Sequence, residues 1–202
     1  MTLSGIFLIP LDTLDMAASF LLAFASSCRC RMFGGHFTGA VVLGFLCGMC
    51  APLLRECLLQ SSGIRLILNE LSSLALSGGV AGALTRLPRI SRHGGKAFFL
   101  SDSLGIGLAS CLAVVSGISF RLSAVGALAL GLLIGLSPGL LRDMALGDVA
   151  QAVEEDWYAT SLALGCMLTI LCLTVAKPII AVFCGCLLVL ALRFWRRGKA
   201  VG

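Results

Sequence analysis

Charged side chains in this chain come in clusters. Between the clusters run apolar windows of about 18–20 residues, the length a helix needs to cross a hydrocarbon core. Only 12% of the 202 residues are charged and 58% are apolar, whereas a soluble domain carries about 25% charged residues. The pattern leaves no soluble domain and predicts an all-α polytopic membrane protein.

Seven windows fit spans, at roughly 6–27, 37–54, 66–84, 97–116, 123–141, 157–175 and 179–192. Arg29 and Arg31 mark the first connection, Arg55, Glu56 and Arg65 the second, and a basic run from Arg86 to Lys96 the third. The loop from Arg142 to Asp156 is acidic. Trp157, Tyr158 and Trp195 fall where interfacial aromatics sit. The N-terminal stretch has no basic region before its apolar run and contains Asp12 and Asp15, so it is expected to remain in the mature protein.

With seven spans the termini lie on opposite faces. Eleven of the fifteen Lys and Arg residues then share one face with the C-terminus, leaving Arg55, Arg65, Arg121 and Lys177 on the other. Basic residues collect on the cytoplasmic side, which predicts a cytoplasmic C-terminus and an outside N-terminus. The net charge of +5 is therefore a topology signal, and no nucleic-acid partner is implied.

Sliding the chain by 87 residues lays Asp15 on Asp102, Gly39-Ala40 on Gly126-Ala127, Gly48 on Gly135, Leu53-Leu54-Arg55 on Leu140-Leu141-Arg142, and Glu56 on Asp143. Charges are rare here, so the Asp and Arg matches carry more weight than the Leu and Gly ones. Each unit holds three spans, and an odd number inverts the second copy. Residues 6–84 and 97–175 therefore read as inverted three-helix repeats, with 179–195 as an added seventh helix. Inverted repeats characterise transporter folds, with the pathway at the repeat interface.

Spans 2 and 5 carry the corresponding segments Gly48–Glu56 and Gly135–Asp143. Proline removes a backbone donor and crowds the preceding turn, so Pro52 and Pro138, with Gly48, Gly135, Ser137 and Gly139, predict two kinked helices. Each kink frees carbonyls about one turn back, which are candidate cation ligands. Asp15, Arg55, Glu56, Asp102, Arg142 and Asp143 are the charged pathway candidates. Plainer readings stand beside these. Arg55 and Arg142 at span ends can snorkel to headgroups, adjacent residues on a helix point apart, and Asp15 and Asp102 fit helix caps or first-turn acids. Glu70 fits either the interior or the outer boundary.

Most of the ten Cys lie inside apolar runs, where Cys packs as a small hydrophobe. Cys47 and Cys50 lack the second pair or His that a zinc set requires. His36 and His93 fall in loops, and Ser residues lack a partner base. No metal, cofactor or catalytic residue is expected.

Several short motifs together resemble the prokaryotic trimeric intracellular cation (TRIC) channels. In the first half these are Asp15 with Ser19, Phe20 and Ala23, Phe37-x-Gly39, and Leu53-Leu54-Arg55-Glu56. In the second half they are Asp102 with Gly105, Gly126, and Leu140-Leu141-Arg142-Asp143. The resemblance spans about residues 6 to 195. It implies a homotrimer in the lipid bilayer, each subunit holding a pore lined by spans 2 and 5 that conducts monovalent cations, chiefly potassium. Members usually carry a triple glycine before the Leu-Arg-Asp ending; here the triplets are Cys50-Ala51-Pro52 and Ser137-Pro138-Gly139, a departure that bears on conductance and gating. Relatives described as glycine-transporter-like make a secondary transporter of a small zwitterionic solute the alternative. A non-conducting membrane scaffold is a third reading.

Overall fold

The structure, a computed structural model, describes residues 4–60, 71–84, 96–148 and 156–200. These form seven helices and, among the described residues, no strand: α1 Ser4–Met32, α2 Phe37–Leu59, α3 Ser72–Leu84, α4 Lys96–Ser119, α5 Ala124–Leu146, α6 Asp156–Leu173 and α7 Pro178–Ala200. Five are long and apolar enough to cross a membrane, and Ser72–Leu84 and Trp157–Leu173 are shorter apolar helices. Large apolar side chains such as Val42, Leu46, Leu133, Leu171 and Val175 stand exposed on the outside, the surface expected of a bundle whose solvent is lipid. Glu70, the basic run from Arg86 to His93, and the acids Glu154 and Glu155 lie outside the described residues.

Local chemistry sets the helix ends. Gly34 adopts φ +82° in the turn before α2. Ser123 caps α5, its hydroxyl accepting the Gly126 N–H at 3.1 Å, and Gly147 closes the same helix in the left-handed region. Pro178 opens α7 at the first helical position, where its missing N–H costs nothing. Several helices outrun the expected spans: α1 continues to Met32, α2 to Leu59 and α5 to Leu146. Arg55 and Arg142 thus sit a full turn inside their helices.

α1, α2 and α3 pack on one another, as do α4, α5 and α6, and the halves join through α1 against α4 and α2 against α5. Ala18, Leu22 and Ala109 lie in the core where α1 crosses α4. Gly78 brings the α3 backbone against the Phe20 carbonyl of α1, so that a Cβ there would lie 2.6 Å from that oxygen. The α7 helix packs on α4 and α6 and has no counterpart in the first half.

The two halves are inverted. Arg29, near the end of α1, bonds Asp148 just beyond α5 at 3.0 Å and stacks on Phe98 near the start of α4 at 5.5 Å. The end of α1 therefore meets the start of α4, and the helices run antiparallel.

Candidate functional site

Two charge clusters, one half-buried and one buried, occupy equivalent places in the two repeats. In the first, Arg55 of α2 grips Asp15 of α1 with both prongs, Nη1 to Oδ1 at 2.9 Å and Nη2 to Oδ2 at 2.7 Å. Glu56 Oε1 stands 3.5 Å from Nη2. In the second, Arg142 of α5 donates from Nη1 to Asp102 Oδ1 of α4 at 2.6 Å and from Nε to Asp143 Oδ1 at 2.8 Å. Partners in both clusters are 40 residues apart in the chain. From Asp15 to Arg29, the latter beside the second cluster, α1 rises about 20 Å, so the clusters lie toward opposite ends of the bundle.

The clusters differ in cover. Arg55, Asp15 and Glu56 keep 12% of their side-chain surface exposed, whereas Arg142 and Asp102 keep 1%. Asp102 also accepts from Arg193 Nη1 of α7 at 3.1 Å, through its second oxygen. Phe98 lies beside Arg142 at 5.2 Å, and the Tyr158 ring of α6 faces Arg193 at 4.6 Å. Buried charges persist only when paired and hydrogen-bonded, and each carboxylate here has guanidinium donors.

Three plainer sequence readings give way. Asp15 and Asp102 are not caps, because α1 begins at Ser4 and α4 at Lys96. Arg142 does not snorkel; it is the largest fully buried side chain among the described residues. Neighbours on one helix do pair here, since Arg142 folds back through Nε onto Asp143 and Arg55 comes within 3.5 Å of Glu56.

Helical structure runs through both prolines. Pro138 cannot donate to the Ile134 carbonyl, but the Ser137 hydroxyl does so at 3.0 Å, so this carbonyl has a protein partner rather than standing open to an ion. Ser137 also meets Cys50 of α2. These two are repeat equivalents, and a residue touching its own equivalent marks the pseudo-two-fold axis. Gly48 seats α2 against Ser19 of α1 and Ala75 of α3, and Gly135 seats α5 against Ser110 of α4. Pro52 and Pro138 are buried in their helices. Gly139 lies under Tyr158, so that a Cβ there would come within 2.7 Å of the phenol oxygen.

Sequence reasoning missed Arg193 and Tyr158. Arg193 had been counted only toward topology. Tyr158 was expected at an interface but is 1% exposed, with a hydroxyl that finds no hydrogen-bond partner among the described residues. Its neighbour Trp157 and the distant Trp195 are exposed as expected. All ten Cys are free thiols, and no metal-binding group of His, Cys, Asp and Glu occurs among the described residues.

Inverted repeats of apolar helices with ion pairs between the helices define a multi-pass membrane protein. Known proteins narrow the fold. A prokaryotic TRIC channel crystallised in 0.5 M KCl superposes with TM-score 0.80 at 15% identity, over 93% of this chain and 98% of that one. The TRIC trimeric intracellular cation channel orthologue from Rhodobacter sphaeroides gives 0.78 at 17%, over 91% and 95%. A structure described as the basis for conductance through TRIC cation channels gives 0.77 at 18%, over 94% and 93%. Residues 99–174 match the family described as glycine transporter. No curated protein matches the sequence. The chain has the TRIC channel fold, as its sequence resemblance implied.

Proposed function

We propose that this protein is a channel for monovalent cations, chiefly potassium, with a pore inside each subunit of a homotrimer in a bacterial cytoplasmic membrane. The observation that carries the reading is the pair of repeat-equivalent clusters, Asp15–Arg55–Glu56 and Asp102–Arg142–Asp143, at opposite ends of one inverted bundle. Ionisable groups inside membrane segments are costly and mark ion pathways. The TRIC fold supports the same reading.

The pathway runs along α2 and α5, past Gly48, Pro52, Gly135, Ser137, Pro138 and Gly139. Residues 6–84 and 97–175 are the units that close around it, and 179–195 is the added helix. The uneven distribution of Lys and Arg supports a cytoplasmic C-terminus, with the Arg142 cluster at the inner end and the Arg55 cluster at the outer.

A second reading has its own support: the match of residues 99–174 to the glycine transporter family favours a carrier for a small zwitterion. Purified protein in liposomes separates the two. A channel releases potassium down its gradient without saturation. A carrier shows saturable glycine uptake that accelerates in counterflow and leaks little potassium. Absence of potassium flux across voltages and pH values overturns the channel.

A further inference from the structure

α6 and α7 form a tight antiparallel hairpin. The Cys172 carbonyl closes α6 by accepting the N–H groups of Val175 at 3.1 Å and Ala176 at 2.8 Å, and Pro178 then opens α7. Further along, two glycines face each other across the hairpin. A Cβ on Gly165 would stand 3.0 Å from the Gly185 carbonyl oxygen, and one on Gly185 would stand 2.8 Å from the Gly165 carbonyl oxygen. Thr169 donates to the Gly165 carbonyl at 2.9 Å and borders Gly185. Packed helices usually keep their axes about 8–10 Å apart, and a seam without Cβ atoms draws these two closer.

Two cysteines flank that seam on the side of the turn. Cys172 lies about one helical turn beyond Thr169, and Cys184 adjoins Gly185. Their side chains meet, thiol to thiol, across the hairpin. The setting differs from that of the core thiols: Cys111, Cys166 and Cys186 are buried, whereas Cys172 and Cys184 are half-buried. The residues beside them, Leu171 and Phe183, are exposed on the outer surface of the bundle. A molecule dissolved in the hydrocarbon therefore reaches this pair without opening the protein. On the proposed topology the α6–α7 turn also lies at the outer face, the side on which disulfides persist.

We propose that Cys172 and Cys184 form a redox site, a dithiol that a lipid-soluble quinone oxidises to a disulfide joining α6 to α7. Two S–H bonds break and one S–S bond forms. The two electrons and two protons pass to the quinone, whose two carbonyl oxygens become hydroxyls. A disulfide spans Cα atoms about 4.4–6.8 Å apart, and the glycine seam favours that approach. The bond ties together two helices that the turn already joins, so it forms within the folded hairpin. It involves neither the ion-pair clusters nor the pathway, and its test does not depend on conduction.

The full-length protein in liposomes is treated with a fully substituted benzoquinone carrying a decyl tail. It is then denatured in SDS with excess N-ethylmaleimide and digested without reductant for mass spectrometry. The expected result is a peptide joining Cys172 to Cys184, absent after dithiothreitol, with loss of most maleimide from these two cysteines. Cys111 and Cys166, sealed in the core, are expected to stay alkylated. C172S and C184S are each expected to abolish the joined peptide and to leave the remaining thiol alkylated. Full alkylation of both cysteines after quinone, or their recovery joined to other cysteines instead, overturns the proposal and leaves the channel reading untouched.

Discussion

Arg142 Nη1 lies 2.6 Å from Asp102 Oδ1, and each side chain keeps 1% of its surface exposed. Removing Arg142 leaves Asp102 with Arg193 alone and takes the Nε donor from Asp143, and removing Asp102 takes a carboxylate from both Arg142 and Arg193, all of them buried. D102N or R142Q is therefore expected to cost about 3–5 kcal/mol of stability, read as a fall in the temperature at which the detergent-solubilised protein loses its monodisperse peak. The double variant R142Q/D102N is expected to cost less than the sum of the two single losses, because the two residues share one ion pair.

The same experiment at the other end is expected to be milder. Arg55 and Asp15 keep 12% side-chain exposure, so solvent compensates part of a stranded charge. R55Q is expected to cost about 1–2 kcal/mol, between a surface pair and a sealed one. A loss equal to that of R142Q contradicts the difference in cover.

Gly139 leaves room for one phenol oxygen. In G139A the new methyl would stand 2.7 Å from Tyr158 Oη, forcing either the ring or α5 to shift, at about 1–3 kcal/mol. G139A/Y158F removes the oxygen in question and is expected to restore most of that stability. Thermal stability of the three proteins, measured side by side, checks it.

Pro138 and Ser137 act as a unit. P138A returns a backbone N–H that competes with the Ser137 hydroxyl for the Ile134 carbonyl, now bonded to it at 3.0 Å. Expression is expected to hold while potassium flux changes, because the altered turn lies on the proposed pathway. Equal loss of expression and flux assigns Pro138 a folding role instead.

Much of this could be read from the chain. The 87-residue offset names the partners of both clusters, since Asp15 and Arg55 recur as Asp102 and Arg142. Their ion pairing was not legible: sequence spacing says which residues share a repeat, not that α1 and α2 turn those side chains toward each other. Arg193 was hidden for another reason. It stands in a C-terminal basic group with Arg196, Arg197 and Lys199, and only packing against α4 and α6 shows that its guanidinium is buried. Tyr158 follows Trp157 at a span end, where both rings suit the interface; helix rotation buries one and exposes the other. The freed carbonyl at Ile134 was foreseen, but not its capture by Ser137, a local bond that propensity does not report.

Reversal potential in asymmetric KCl tests the central claim most directly. With purified protein in a planar bilayer, a tenfold KCl gradient is expected to give currents that reverse near the potassium equilibrium potential, with sodium substituting in part. Reversal near the chloride potential, or no current at any voltage, contradicts a cation pathway between the Arg55 and Arg142 clusters.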